Sequence, residues 1–416
     1  MAFNPLEEKG MPMEKQFKSW VEVNTKPYNK DTVHPYTRTR GILMNGIEVE
    51  AALFLHDFAR HTSDLELKKT LALSRRVEQQ QQKAVNWMIP GNESTLEVTL
   101  GYEQVAVDLT AFLAQTEPDG YVKQALDFAL LEDFDHLYRY ANYMKMTEGK
   151  DPSSVTKQYT EITVGRPTAL EHRHPLDEIR NFVDCKKADP VTNLHIYTIV
   201  AAEQQTMNYY MNVGNRFTDM LGRGLYQEIG QMEEQHVSHY ESLMDPNLTW
   251  FEMLLWHEYN ECWLYYSLMQ EEPLAEARAV WEQNLSMEIE HLRVACELMR
   301  KYEKKDPLSL LPESMPQIFK FQSNIDYIRE ILGTQMELTG YGTDYIPVDE
   351  LPKDNRYVMF QSQVNATGSP SEAVIDTLIQ KSGNDYRNEI SGPHPWAPYR
   401  RTEAVPAVKR RLEASA

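Results

Sequence analysis

The feature that most constrains the fold of this chain is an internal repeat. When the sequence is shifted against itself by 155 residues, the separation of Glu48 and Glu203, the segment 43–148 aligns without a gap on a second copy that ends at residue 303. Acidic positions inside the apolar stripes of the two copies coincide. The aligned pairs are Glu48 with Glu203, Glu78 with Glu233, Glu103 with Glu258, and Asp133 with Glu288. A repeat of this length indicates one duplicated helical unit rather than a solenoid.

Apolar residues in both copies have the spacing of amphipathic helices, and the breaks fall at Asp, Asn and Pro. Each copy is therefore predicted to form two helical hairpins. The predicted helices lie near 44–61, 65–89, 97–116 and 120–146, and near 193–215, 221–244, 249–270 and 275–303. The expected fold class is all-α, with eight core helices produced by a tandem duplication.

Composition divides the chain around these two copies. The segments before, between and after them are richer in Pro and irregular in pattern. The predicted organisation is an extended arm over 1–42, a first repeat over 43–148, a crossover segment over 149–192, a second repeat over 193–303 and a C-terminal extension over 304–416. Short helices are expected in the extension near 322–334 and 371–382, followed by an extended tail that wraps the surface.

Charge and cysteine content exclude several classes of protein. The net charge of −20 is spread along the chain, which argues against nucleic acid or an anionic membrane as a partner. No apolar run reaches the roughly 18 residues of a membrane span, and the N-terminus lacks a secretory pattern. Three widely spaced cysteines suit a reducing compartment and exclude a rubredoxin module. We therefore expect a cytoplasmic protein.

The aligned acids form a pattern of chemical interest. The second acid of three hairpins begins an acid-x-x-His motif, and residues i and i+3 share one face of a helix. The three motifs are Asp133 to His136, Glu233 to His236 and Glu288 to His291, while the fourth hairpin has Glu78 followed by Gln81. Each acid lies about 15 residues, or four helical turns, from its hairpin turn, so that folding brings two carboxylates to the same height.

These acids lie on apolar faces. Glu48 has Met44 and Ala51 one turn away, and Glu203 has Ile199 and Met207. A carboxylate buried without partners costs several kcal/mol or takes up a proton. Several of them at one level would repel one another, and a pair of divalent cations removes that repulsion.

The pattern resembles the ferritin-like di-iron carboxylate superfamily, which includes rubrerythrins, ribonucleotide reductase small subunits and bacterial multicomponent monooxygenases. The resemblance covers residues 43–303 at the level of the motifs. It implies ferritin-like bundles, two iron ions per site (with manganese or a mixed Mn/Fe pair as alternatives), O₂ or peroxide as oxidant, a small organic substrate and an external electron-donor protein, with a homodimer left open. The expected function is that of an oxygenase-like di-iron oxidoreductase. The alternatives are a rubrerythrin-like peroxide reductase and a non-catalytic storage or structural protein.

Two pairings of the hairpins remain open. If each copy folds as its own bundle, one site contains Glu203, Glu233, His236, Glu258, Glu288 and His291, and the other contains Glu48, Glu78, Gln81, Glu103, Asp133 and His136. If the second hairpin pairs with the third, the preferred site contains Glu103, Asp133, His136, Glu203, Glu233 and His236, and the outer hairpins contribute Glu48, Glu78, Gln81, Glu258, Glu288 and His291. The second pairing is favoured because the long segment 147–192 resembles the crossover of ferritin-like bundles, for which the loop at 244–249 is too short.

Several assignments remain open at individual residues. Glu132 could replace the shorter Asp133 as a ligand if the helix rotates slightly, and Glu261 is either an extra ligand or a supporting group. The tyrosines of the second copy are interpreted as core residues; they are Tyr209, Tyr210, Tyr240 and Tyr265. The run Glu171-His172-Arg173-His174 lies in an irregular segment without metal spacing and is interpreted as surface.

Overall fold

The computed structural model describes residues 3–166, 171–383 and 393–400. This part of the chain is mostly helical, and its eight longest helices form four antiparallel hairpins. They are α1 (Pro35–Arg60), α2 (Leu65–Asn86), α3 (Thr95–Thr116), α4 (Gly120–Glu148), α5 (Pro190–Val213), α6 (Met220–Glu241), α7 (Trp250–Glu271) and α8 (Ala275–Glu303). The predicted all-α class is confirmed. None of the helices described has both the length and the apolar character needed to cross a membrane.

Local capping signals recur between the two copies and fix where the helices begin. The side chains of Asp64 and Asp219 accept hydrogen bonds from backbone N–H groups in the first turns of α2 and α6. Ser94 and Thr249 begin α3 and α7 with capping boxes, in which a glutamate three residues later bonds back to the cap. Each such cap stabilises its helix by about 1 kcal/mol. Because the caps repeat, corresponding hairpins place their acids at corresponding heights.

The hairpins pack in two groups of four helices. Helices α3, α4, α5 and α6 form one group, and α1, α2, α7 and α8 form the other. The two groups meet where α1 packs against α3 and α5, and where α5 packs against α7. The described part of the connection from α4 to α5 contains one turn of α-helix at Ser153–Thr156 and a 3₁₀ turn at Pro175–Asp177. The second and third hairpins are thus partners, which is the second of the two pairings considered above.

Helix α1 begins inside the segment that was predicted to be an extended arm. It begins at Pro35, directly after His34, whose ring accepts a hydrogen bond from the N–H of Tyr36. The segment 35–42 lacks an obvious apolar stripe, yet it is buried because its cations have buried partners. Arg38 pairs with Glu93, and Arg40 with Glu272. Buried ion pairs therefore replace the apolar contacts on which the sequence pattern depends.

The C-terminal extension contains more structure than predicted. Helices α9 (Ile325–Gln335) and α11 (Pro370–Ser382) lie where short helices were expected. Between them, strands β1 (Leu338–Tyr341) and β2 (Asp344–Pro347) pair antiparallel, and α10 spans Arg356–Val364; the sequence pattern indicated none of these three. Helix α11 packs against both α4 and α6. Of the predicted wrapping tail, residues 401–416 lie outside the described part of the chain.

Candidate metal centres

The acid-x-x-His motifs of the second and third hairpins meet in one cluster, which we call the central cluster after its position in chain order. Its members come from α3, α4, α5 and α6, and each is at most 1% exposed. They are Glu103, Asp133, His136, Glu203, Glu233 and His236. All six residues of the preferred site are therefore brought together, although metal binding by them stays a prediction.

Glu233 lies at the middle of the central cluster. Its Oε1 is 3.0 Å from Nδ1 of His136, and its Oε2 is 3.4 Å from Nδ1 of His236. Two sets of candidate donor atoms, each set within 4.8 Å, share this residue. One set comprises Glu103, His136 and Glu233, and the other comprises Asp133, Glu203, Glu233 and His236. A single carboxylate thus stands between two groups of donors, with one oxygen beside each histidine.

The central cluster contains four carboxyl groups, and its two histidines cannot neutralise the negative charge that all four would carry. Burial first, and then neighbouring carboxylate charge, raises the pKa of Glu103 and of Asp133 well above the usual range. Burial raises the pKa of Glu203 to about 7 in spite of the nearby His236. Burial opposes ionisation of Glu233 as well, but the two histidines hold its pKa at about 2. Without a cation, burial therefore favours the protonated forms of Glu103, Asp133 and Glu203.

Unsatisfied polar atoms face this cluster. Both oxygens of Glu203, one oxygen each of Glu103 and Asp133, and Nδ1 of His236 are buried without a hydrogen-bond partner. Buried polar groups in folded proteins nearly always have partners, and an unmet group marks a place for an ion or a water molecule. A bound cation would therefore satisfy these donor atoms of the central cluster better than hydrogen bonds among them do.

The structure distinguishes Asp133 from Glu132. Asp133 Oδ1 lies 3.3 Å from Nδ1 of His236, inside the cluster. Glu132 lies on the far side of the same imidazole, where its Oε2 is 2.9 Å from Nε2 of His236. Arg173 bonds both oxygens of Glu132, and with Arg166 it keeps the pKa of this carboxyl well below its usual range although burial opposes ionisation. Glu132 is thus a partner that orients His236, and Asp133 is the candidate ligand.

The interpretation of residues 171–174 as surface was wrong. Glu171, His172 and Arg173 are buried. Glu171 Oε2 accepts a hydrogen bond of 2.6 Å from Arg139 and lies 3.9 Å from Nε2 of His136. This irregular segment supplies a layer of paired charges behind the two histidines of the central cluster. Because it has neither helical periodicity nor metal spacing, the sequence carried no signal of that role.

Removing Arg173 should strongly destabilise the fold, because Glu132 and Glu178 would both lose the buried cation that bonds to them. Breaking a buried pair in this way costs about 3–5 kcal/mol. We expect Arg173→Leu to lower the free energy of unfolding, measured in urea, by that amount. Arg293→Leu is the control, since Arg293 is half exposed and its pairs contribute about 1 kcal/mol or less. Equal losses for both variants would contradict the role assigned to Arg173.

The first and fourth hairpins form a second buried group, which we call the outer cluster. Nδ1 of His291 lies 2.8 Å from Glu78 Oε1, 2.9 Å from Glu288 Oε2 and 3.7 Å from Glu258 Oε2. These four residues offer donor atoms within 4.8 Å of one another. The remaining buried members are Glu48, Gln81 and Glu261. The structure thus brings together all five residues of the predicted second set. Among the described residues, the outer cluster has one group of donor atoms, whereas the central cluster has two groups that share Glu233.

Three further residues support the outer cluster. The Tyr265 hydroxyl donates a hydrogen bond to Glu48, and Asn284 in turn donates one of 2.9 Å to that hydroxyl. Gln16, which is fully buried although it belongs to the N-terminal arm, has its Oε1 2.7 Å from Nε2 of His291. Gln16 follows a short 3₁₀ turn at Met13–Lys15, and no periodicity or motif in the arm distinguishes it.

Comparison of the chain with protein-family models, curated proteins and solved structures gives no match. Its function is therefore inferred from the two clusters and their surroundings.

The tyrosines interpreted as core residues are buried or nearly so, and some of them contact the clusters. Tyr210 donates a hydrogen bond to Glu103 of the central cluster. The ring of Tyr102 stacks on that of Tyr209 at 4.2 Å, and its centroid lies 6.4 Å from that of Tyr210. Tyr102 and Tyr209 also line an open cleft of about 740 Å³. A short series of aromatic rings therefore connects this cleft to a candidate ligand.

Proposed function

We propose that this chain is a non-haem di-metal oxidoreductase of the ferritin-like type, which activates O₂ at an iron pair in the central cluster. Manganese or a mixed Mn/Fe pair is the alternative metal content. The observation that carries the proposal is that two donor groups share Glu233, with one carboxylate oxygen toward each. Carboxylates and one histidine per metal, supplied by facing helices, are the ligands of di-iron carboxylate bundles.

The residues present fit such a pair. Glu103 and His136 would hold one ion, Asp133, Glu203 and His236 would hold the other, and Glu233 would contact both. Two imidazoles among carboxylates form a donor set that suits iron. The orphaned oxygens of Glu203 and the orphaned Nδ1 of His236 are the atoms that a cation would satisfy. The charged groups behind the histidines, Glu132 and Glu171, would increase the basicity of these ligands.

When bound, the metal pair would supply Lewis acidity and electrons for O₂ reduction. The protein's own residues set the conditions around it. Burial favours the protonated forms of Glu103, Asp133 and Glu203 in the metal-free state, and binding of cations would release these protons. Tyr210 holds one oxygen of Glu103 by its hydroxyl and leaves the other oxygen free for a cation. The complete burial of the cluster excludes bulk water, so that electrostatic interactions within it are strong.

Electrons would have to enter from outside, because the sequence contains no flavin, iron–sulfur or rubredoxin motif. The cleft lined by Tyr102 and Tyr209 is a suitable place for a donor protein, because the ring of Tyr210 lies directly behind these two residues. The lining of the cleft includes the side-chain amides of Asn45, Gln82 and Gln205. An apolar cavity for a small organic substrate beside the central cluster stays a prediction.

The proposal is tested by loading the protein with Fe²⁺ without oxygen, adding O₂, and following both O₂ consumption and the loss of chelatable Fe²⁺. A Glu78→Gln variant, which disrupts the outer cluster, should consume O₂ in proportion to the iron that remains in the central cluster. Under the same conditions His236→Ala should retain less iron and consume correspondingly less O₂.

Other outcomes would replace the proposal. Oxidation of the iron by H₂O₂ but not by O₂ would indicate a peroxide reductase. Uptake of iron far beyond the number of ligand sets would indicate storage. A folded protein that binds neither iron nor manganese would show that the clusters are structural, and the oxidoreductase proposal would then be wrong.

A further inference from the structure

We propose that the outer cluster is a second cation site with a different selectivity, which favours a hard divalent cation such as Mn²⁺ and fastens the N-terminal arm to the helices when it is filled. This site goes beyond the proposed oxidoreductase function and does not depend on it. It could be filled in a protein whose central cluster proved inactive.

Two of its acidic side chains lack the partners that burial would require. Glu261 is 2% exposed, and neither of its carboxylate oxygens has a hydrogen-bond donor. Oε2 of Glu258 is also buried without a partner. Glu258 and Glu261 lie three residues apart on α7 and hence share a face. Oε2 of Glu258 lies 3.7 Å from Nδ1 of His291, so the face that Glu258 and Glu261 share is the one turned to the outer cluster.

The two clusters differ at three aligned positions, one of which, Asp133 against Glu288, keeps a carboxylate. The position of His236 in the central cluster is occupied by Gln81 in the outer one. The position of Glu261 in the outer cluster is occupied by Ala106 in the central one. The outer cluster has thus exchanged an imidazole for an amide and has gained a carboxylate. The first change replaces a nitrogen donor by an oxygen donor, and the second adds oxygen donors.

This exchange changes the preferred metal. The outer cluster offers five carboxylates, one imidazole and Oε1 of Gln81, which is buried without a hydrogen-bond partner. The central cluster offers four carboxylates and two imidazoles. Carboxylate and carbonyl oxygens suit Mn²⁺, Mg²⁺ and Ca²⁺, whereas imidazole suits Fe²⁺ and Zn²⁺. Relative to the central cluster, the outer cluster should therefore favour the harder cations.

The groups behind the histidines differ in the same sense. Nε2 of His236 faces the carboxylate of Glu132, which makes an imidazole more electron-rich and suits a metal that changes oxidation state. Nε2 of His291 faces the neutral amide oxygen of Gln16 at 2.7 Å. The contact of His291 with a neutral amide therefore suits a metal that changes oxidation state less well than the contact of His236 with a carboxylate. A cation of fixed charge fits such a site.

Gln16 also connects the site to the N-terminal arm. Its Nε2 donates a hydrogen bond of 2.8 Å to the carbonyl of Met11, whose own N–H donates one of 2.6 Å to the carbonyl of Ser286 on α8. A cation on Nδ1 of His291 would require the ring proton on Nε2, where it is donated to Gln16. Binding of the cation and docking of the arm are therefore expected to strengthen each other.

The selectivity is tested by displacing Mn²⁺ with Zn²⁺ in two variants, each designed to keep one cluster. Glu233→Gln leaves the outer cluster, and Glu78→Gln leaves the central one. Bound Mn²⁺ is followed by the loss of the free-ion electron paramagnetic resonance signal. We expect more Zn²⁺ to be needed for half displacement in Glu233→Gln than in Glu78→Gln. Adding Gln81→His with Glu261→Ala to Glu233→Gln should lower the requirement toward that of the central cluster.

The link to the arm is tested in the same Glu233→Gln background. Gln16→Ala should weaken Mn²⁺ binding by about 10- to 100-fold, the usual effect of losing a group that orients a ligand. Glu14→Ala, at an exposed position of the arm, is the control and should have no effect. In the otherwise unchanged protein, Mn²⁺ should slow tryptic cleavage after Lys15, and Gln16→Ala should abolish this protection.

Three results would overturn the inference. They are absence of Mn²⁺ binding by a Glu233→Gln protein of native helical content, equal Zn²⁺ requirements in the two single-cluster variants, and unchanged Mn²⁺ affinity in Gln16→Ala. If the variant with Gln81→His and Glu261→Ala fails to fold, the comparison of the two single-cluster proteins and the Gln16→Ala measurement still decide the matter.

Discussion

Replacing Glu233 with glutamine should empty the whole central cluster, although it removes a single negative charge. Glu233 belongs to both donor groups, and each of its oxygens lies beside a different histidine. An amide can offer one oxygen to one cation and then presents an N–H₂ group to the other. The variant should therefore lose both central ions, whereas replacement of a residue in one group, such as Glu103, should lose mainly one. Metal content per chain, measured by mass spectrometry after equilibration with Fe²⁺ and gel filtration, checks this.

Glu234→Gln is the matched control, because Glu234 is the next residue on α6 and its side chain is exposed. It should retain the metal content of the unchanged protein. Retention of one central ion by Glu233→Gln would show that the two donor groups bind independently. That result would remove the shared carboxylate on which the proposed metal pair depends.

Metal removal should reverse the dependence of stability on pH. In the metal-free protein, burial raises the pKa of Glu103, Asp133 and Glu203 above the values of the unfolded chain, and hydrogen bonds with acids raise the pKa of His236 in spite of its burial. The folded state then holds more protons than the unfolded state. Each such proton lowers the free energy of unfolding by about 1.4 kcal/mol per pH unit as pH rises. For Glu203 this loss extends from the unfolded value near 4.5 to about 7.

The outer cluster acts in the same direction. Burial raises the pKa of four of its acids, and acidic neighbours raise the pKa of His291 in spite of its burial. The pKa of Glu288 is lowered by His291 in spite of burial, so its contribution to stability is lost only in more acidic solution. The four acids are Glu48, Glu78, Glu258 and Glu261. Only His136 among the histidines of the two clusters opposes the trend, since burial lowers its pKa. The metal-free protein should therefore lose stability from pH 5 to pH 8.

Metal-loaded protein should behave in the opposite way over the acidic part of this range. Its ligands must be deprotonated to bind cations, so lowering the pH from 7 to 5 weakens binding and with it the stabilisation that binding provides. Urea unfolding at several pH values, with and without a chelator, measures both slopes. Parallel curves for the two forms would show that the buried acids do not bind cations.

The hairpins and the candidate ligands could be predicted because their signals are local and repeated. Helical periodicity, caps such as Asp64 and Asp219, and the acid-x-x-His spacing each depend on neighbours within a few turns. The pairing of the hairpins could be narrowed only to two arrangements, because both place carboxylates opposite histidines. The long connection before α5 favoured the arrangement that is found.

What the sequence could not predict lies in the residues that support the ligands. Arg173 and Glu171 lie in an irregular segment, and Gln16 lies in the N-terminal arm. Helical periodicity cannot predict which side chains of such segments are buried. Their roles arise from contacts over long separations, such as Gln16 with His291. The choice of Asp133 over Glu132 likewise required the rotation of α4, which the pairing of Glu132 with Arg173 reveals. Residues 401–416, part of the expected tail, lie outside the described residues.

The order of the hairpins along the chain has a consequence for biosynthesis. The second and third hairpins are consecutive, so their bundle can close as soon as residue 241 has left the ribosome. The first hairpin emerges earlier but has to wait for its partner, the fourth, which ends at Glu303. At roughly 5–20 residues per second this delay is on the order of 10–40 s. During this interval the faces of α1 and α2 that pack against α7 and α8 in the folded protein lack their partners, whereas α3 and α5, against which α1 also packs, are already present.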